Sequence, residues 1–254
     1  MQTHYFLPPK QRVPTSPVEW PIPTLRLRVD DLEHPGAQIF FNHIQPYDAL
    51  RTAIMSVYTW LYTLETVPRE VEVINLVLRS MPGGVAHTTG TSIYKEIHFS
   101  LEHIQNCADR AEKEIMGVLT HEVVHCFQFN GNGKAPGGLI EGVAGSSQSN
   151  RPHLSLTSKL ILLSTADWVR LHAGLAPPHW KARPGDRWDA GYDSTAYFLD
   201  WMEGKYGTAN GLVRTINLTL RDREYEDVIF KEHTGKKVSK LWKLYCDYLQ
   251  ENNK

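Results

Sequence analysis

The sequence predicts an α+β fold, in which a small twisted N-terminal sheet with a helix packed on it is followed by a mainly helical C-terminal part. Three observations carry that prediction. Alternating or β-branched runs fall within the first hundred residues. From Ala108 onward the periodicity is helical almost throughout. A chain of 254 residues also buries a substantial core as one elaborated domain, without needing a second.

Taken in order, prolines at positions 8, 9, 14, 17, 21 and 23 deny the N-terminus a helix or a central strand. Residues 1–22 are therefore expected to be an extended tail, and 23–254 a single domain. Leu25 to Val29 alternates apolar and charged residues, the pattern of a half-buried strand. Between Tyr47 and Leu64, Leu50, Ile54, Val57, Leu61 and Leu64 form one helical stripe, with Asp48 near its start. "VEVINLVLRS" and Ile93 to Phe99 read as strands, and Pro82-Gly83-Gly84 gives "MPGGVAHTTG" turn chemistry. The stretch from Ala108 to Phe129 is a helix of about five turns, acidic at its start and apolar nearly all round in its second half, hence buried. "NGNG" at 130–133 is expected to stop it, and further helices are expected near 190–205, 209–220 and 236–251.

Composition excludes several functions. The formal net charge is -1 with a pI near 6.9, and no block of like charges occurs, so neither a nucleic-acid surface nor a polybasic membrane patch is expected. Cys107, Cys126 and Cys246 match no disulfide framework and no CxxC motif, and read as free, mostly buried thiols. The first residues contain no apolar signal core, and no run reaches the ~18 residues of a membrane span. As written, the chain is expected to be cytoplasmic and monomeric.

The chemistry concentrates in "THEVVHCFQFNGNG", Thr120 to Gly133. At positions i and i+4 of a helix, His121 and His125 share a face and can converge on one zinc ion, with Glu122 beside them as general base. Two buried histidines flanking a carboxylate are costly without partners, which argues for a ligand. The HExxHxxGxxH pattern is excluded, because positions 128 and 131 hold Gln128 and Gly131. A carboxylate on the next helix is the other common solution, and Glu141, sixteen residues after His125 and shortly after Gly137-Gly138, is the candidate third ligand.

Together, "VLTHEVVHCFQFNGNGKAPGGLIEGVA", "DWVRLHAGLAPPHW" and "GYDSTAYFLDWMEGKYG" resemble the basic secretory protein family of plants, fungi and bacteria, regarded as zinc peptidases of the gluzincin type. The resemblance runs from about Pro21 to the C-terminus. It implies a zincin-like fold, zinc bound by His121, His125 and Glu141, and Glu122 as general base acting on a peptide or protein substrate. It further implies that the strand near "KEIHFS" borders the cleft and can take an extended peptide by strand addition. Family members are typically secreted and often basic; this nearly neutral chain shows no signal.

In the family pattern, the segment holding the third ligand runs directly into Asp and a Trp/Tyr-Val-Arg sequence. Here 22 residues, Gly145 to Ala166, intervene before Asp167. The family arrangement places that aspartate one turn after the ligand glutamate, where it accepts the N–H of a zinc-bound histidine. Gly145 now holds that position, so the contact is expected to be lost unless Asp167 returns in space. Residues 145–166 read as a retained in-frame intron, which a Gly145 codon beginning G|GT and an Ala166–Asp167 junction ending GCA G|AC would permit, or as a Ser-rich surface loop whose second half extends the next helix.

Other residues carry two readings. By resemblance, Tyr192 lies near the cleft and can donate to a developing oxyanion; by itself it reads as a packed aromatic at a helix start, with Asp193 as a cap. Gln128 can neighbour the zinc site or contact the following loop. His98, His103 and the tryptophans read as ordinary structural residues, and the sequon at Asn217 falls within a helix. The function expected is zinc-dependent peptide-bond hydrolysis. The alternatives are a catalytically impaired binding or defence protein, its second shell disrupted by the 145–166 insertion, and a zinc hydrolase of non-peptide amides.

Overall fold

The computed structural model describes residues 19–129, 165–188 and 192–252. Its sheet contains β1 (Thr24–Val29), β2 (Val73–Arg79), β3 (Ala86–Gly90) and β4 (Tyr94–Ser100) in the order β1-β2-β4-β3. β1, β2 and β4 are parallel, and β3 runs antiparallel to β4. Two helices, α1 (Pro35–His43) and α2 (Pro46–Leu61), make the crossover from β1 to β2. The parallel pairing requires such a crossover, since parallel neighbours cannot be joined by a tight turn.

Gln45 begins α2 by accepting from the Tyr47 and Asp48 N–H groups, and Pro46 occupies the first turn, where its missing N–H costs nothing. Leu50, Ile54, Val57 and Leu61 of the expected stripe are all buried, whereas Leu64 lies beyond the helix end. After α3 (Leu101–Asn106) and a short 3-10 turn (Ala108–Arg110) comes α4 (Ala111–Phe127), which packs against α2 and against β3 and β4. Ile115, Val118, Leu119, Val123, Val124 and Phe127 of α4 are all at most 3% exposed. At about 1.5–3 kcal/mol for each large apolar side chain removed from water, α4 anchors the core.

The second half is helical: α5 is described over 165–172, followed by α6 (Tyr192–Tyr206), α7 (Leu212–Thr219), α8 (Val228–Thr234) and α9 (Val238–Asn252). The α+β class and the division between sheet and helices match the sequence reading, and no described helix is long and apolar enough to cross a membrane. The three cysteines are free, two of them buried.

Several details differ from the expectation. The strand containing "KEIHFS" is interior, paired on both sides, and among the described residues the edges of the sheet are β1 and β3. β3 lies inside the stretch read as turn: only Met81 to Gly84 makes the turn, with the Gly84 N–H donating to the Met81 carbonyl and Gly83 at φ 78°. α4 ends at Phe127, before Asn130, because Gln128 is extended at φ -61° and ψ 145°. The short helices α1, α3 and α8 have too few turns to register as periodicity.

Candidate metal centre

One stripe of α4 carries Glu114, Gly117, His121 and His125 at spacings of three and four, so that all four face the same way. The Nε2 atoms of His121 and His125 lie 3.1 Å apart. Two Zn–N bonds of about 2.05 Å at the tetrahedral angle separate their nitrogens by about 3.3 Å, so the pair fits one tetrahedral ion. Both outer ring nitrogens are occupied: Nδ1 of His121 meets Asp167 Oδ1 at 2.8 Å, and Nδ1 of His125 meets the Gln128 side-chain amide at 2.7 Å. With Nδ1 engaged on each ring, Nε2 is the atom left to face a ligand.

Glu122 is buried, and its Oε2 accepts from Thr88 Oγ1 of β3 at 2.7 Å. Burial raises the Glu122 pKa, with His121 and the Thr88 hydroxyl opposing and Asp167 adding to the rise. Burial disfavours the charged form of His121 as well, but the Asp167 carboxylate outweighs it, and His121 titrates above its usual range. His125 is pushed well below, by burial first and then by the neighbouring His121. The two rings therefore differ in basicity although they face one point.

Asp167 comes from α5 and is buried against His121. One turn on, Arg170 donates through Nη2 to Glu114 Oε2 at 3.1 Å and through Nε to the Leu175 carbonyl at 3.0 Å. Asp167 meets α4 at His121 and Arg170 meets it seven residues earlier, so the two helices run antiparallel. Glu114 is also held by Arg110 and His103. These partners overcome the burial that would raise its pKa and bring it down to about 2. The far side of α5 is fixed by His172, whose ring lies 4.4 Å from that of Trp60 and 4.3 Å from that of Trp168, and which bonds Asp200 at 2.9 Å.

The structure thus brings His121, Glu122, His125 and Asp167 together. The contact expected to be lost through the interruption is present, because Asp167 returns to His121 from α5. Glu141 and the interruption up to residue 164 lie outside the described residues. Tyr192 is the first residue of α6, and its side chain also falls outside them. Asp193 is buried in the first turn of α6, where it accepts from the Ser194 and Lys181 N–H groups. Sequence reasoning missed Thr88, Glu114, Gly117 and Arg170. The run Val85 to Thr89 alternates weakly and could have suggested Thr88; nothing local marks the Glu114–Arg170 pair, which spans 56 residues.

Among the described residues, His103, Cys107 and Glu114 place potential ligand atoms within 4.8 Å of one another. Two guanidinium groups, those of Arg110 and Arg170, already bind Glu114 there. A cation entering that group meets two fixed positive charges, whereas one between His121 and His125 lies near the carboxylates of Asp167 and Glu122.

The family model described as "Peptidase of plants and bacteria" matches residues 22–146 and 155–245. The chain belongs to this family, the basic secretory protein family. Comparison with curated proteins and with solved structures gives no match. The two matched spans leave residues 147–154 outside both, within the interruption that precedes Asp167.

Proposed function

We propose that the chain is a zinc-dependent peptidase in which His121, His125 and Glu141 hold Zn²⁺ and Glu122 is the general base. The observation that carries this reading is the 3.1 Å approach of the two Nε2 atoms while both Nδ1 atoms are engaged from behind. Glu141 enters on its spacing in the sequence and on the family pattern. A zinc ion, when bound, supplies Lewis acidity and a water acidified towards neutral pH.

The remaining work belongs to the chain. Thr88 holds Oε2 of Glu122, leaving Oε1 to take the proton from the attacking water and return it to the leaving amine nitrogen. Asp167 keeps the His121 proton on Nδ1, which leaves Nε2 unprotonated and more electron-rich as a ligand atom. β3 pairs with β4 on one side only among the described residues, so its outer backbone groups can receive an extended peptide beside Glu122. The reading of an impaired binding protein rested on losing the Asp167 contact, and the 2.8 Å bond removes that ground.

The test is zinc content of the purified chain beside His125→Ala and Glu141→Ala, with turnover on a peptide library for the chain and Glu122→Gln. Bound zinc that is lost in both ligand variants, and turnover abolished in a zinc-replete Glu122→Gln, are the expected results. A chain that takes up no zinc sinks the proposal; zinc with turnover on small amides alone reassigns the substrate.

A further inference from the structure

The strand registers place a lysine on the same face of the sheet as the histidine helix. Thr88 stands opposite Ile97 and Gly90 opposite Lys95. Thr88 binds Glu122 of α4, so Gly90 and Lys95, each two residues further along its strand, also face α4. On the other side of Lys95 stands Ile74 of β2, which is fully buried. At Gly90 the edge strand offers no side chain and none fits, because φ is 118° and a β-carbon would stand 2.2 Å from the Tyr94 carbonyl oxygen. The row Ile74, Lys95, Gly90 therefore ends in a gap at the open edge of β3, with the lysine behind it.

Lys95 is half-buried and has neither a hydrogen bond nor an ion pair among the described residues. Its amine lies close enough to the buried Cys126 thiol, one helical turn after Glu122, for each to act on the charge of the other. Burial lowers the Lys95 pKa, with Cys126 opposing. An ammonium so placed costs free energy until a carboxylate joins it.

An extended peptide paired on the outer edge of β3 runs about 10 Å from β4, two strand spacings away. Its residue opposite Gly90 points towards α4, two positions from the residue beside Thr88 and Glu122. Across the space left by Gly90, an acidic side chain at that position meets the flexible four-carbon stem of the lysine.

We propose that Lys95 sets substrate specificity by binding the carboxylate of an aspartate or glutamate seated opposite Gly90. This rests on the peptidase reading above and on its docking of an extended peptide along β3; it adds the chemistry of one subsite and the position of that subsite relative to the general base.

The experiment measures, by fluorescence anisotropy, the binding of fluorescein-labelled peptides carrying a single Glu, Gln or Lys at successive positions. The protein is the full chain with Glu122→Gln, so that turnover does not enter the reading, alone and combined with Lys95→Met, Lys95→Arg or Lys95→Glu. Zinc content is recorded for each preparation. Expected is one position at which the Glu peptide binds about 10-fold tighter than its Gln counterpart, the worth of one hydrogen bond between charged groups. That preference should persist in Lys95→Arg, disappear in Lys95→Met and pass to the Lys peptide in Lys95→Glu. Equal binding of Glu and Gln peptides at every position overturns the inference without any change at Lys95, and so does a preference that survives Lys95→Met. A preference that depends on Lys95 in a chain without zinc keeps the carboxylate subsite and sinks the peptidase reading.

Discussion

Arg170 crosses α4 directly over Gly117: a β-carbon on Gly117 would stand 2.6 Å from Arg170 Nε. The guanidinium ends on Glu114 and the Leu175 carbonyl, and it is stacked 5.5 Å from the centre of the Trp180 ring. Because Asp167 lies one turn earlier on α5, this crossing sets how closely Asp167 approaches His121.

Gly117→Ala is therefore expected to destabilise the protein, although alanine is better in a helix by about 1 kcal/mol. Overpacking against a buried, doubly bonded arginine costs about 1–3 kcal/mol and has no free direction in which to relax. A fall of a few degrees in melting temperature, with weaker zinc binding, is the expected result. A rise in melting temperature would mean that Arg170 moves aside freely.

Asp167→Asn tests the His121 contact without changing volume. The amide accepts the Nδ1 proton less strongly than a carboxylate, and zinc affinity is expected to fall about 10–100-fold, further in Asp167→Ala. Calorimetric titration reads this, and unchanged affinity in both variants would remove Asp167 from the site.

Glu114 links the fold to acid. Its folded pKa is depressed to about 2 from an ordinary value of 4.5, so it stabilises fully above that ordinary value. The stabilisation is lost as pH falls through the window between the two. Glu114→Gln leaves Arg170 buried without its counter-charge, a loss of about 3–5 kcal/mol at neutral pH. Urea unfolding at pH 7 and pH 3 should show the gap between the two proteins narrowing in acid; a gap independent of pH refutes the assignment.

Thr88→Val removes the hydroxyl that fixes Glu122 while keeping the β-branched shape suited to a strand. The expected outcome is a fall of about 10-fold in kcat, the worth of one hydrogen bond, with KM unchanged and Thr88→Ser largely restored. A change confined to KM would place Thr88 in substrate binding instead.

Residues 147–154 lie outside both spans matched by the family, and excising them is expected to leave zinc content and melting temperature nearly unchanged. Excising 145–166 is a different experiment. Thr165 and Ala166 belong to α5 and are 6% and 0% exposed, so that deletion removes two buried residues next to Asp167 and should lower stability. Equal behaviour of the two deletions would contradict this division.

Legibility followed the range of the signal. The helix bearing His121 and His125 stood out because its second half is apolar all round and its polar residues fall at ligand spacing. β3 was hidden because five residues with three polar side chains, next to Pro82-Gly83-Gly84, look like the end of a turn. The order of the sheet, which makes β3 and not β4 the edge, depends on pairings that no local pattern encodes. Arg170 and Glu114 were likewise invisible, since a buried ion pair across two helices leaves no periodicity. Asp167 was named as a partner of the histidines from the family pattern alone, and the turn of chain that returns it could not be read from spacing.

The same separation orders events during synthesis. Thr88, His121 and Asp167 leave the ribosome in that sequence, the carboxylate 46 positions after the histidine, and Asn217, which bonds the Phe129 N–H, comes later still. A nascent chain thus exposes its histidine pair before the partner that orients it has been translated. On the reading proposed above, the His121 ring gains its orienting carboxylate only when α5 docks, so the centre is completed late in the assembly of the fold.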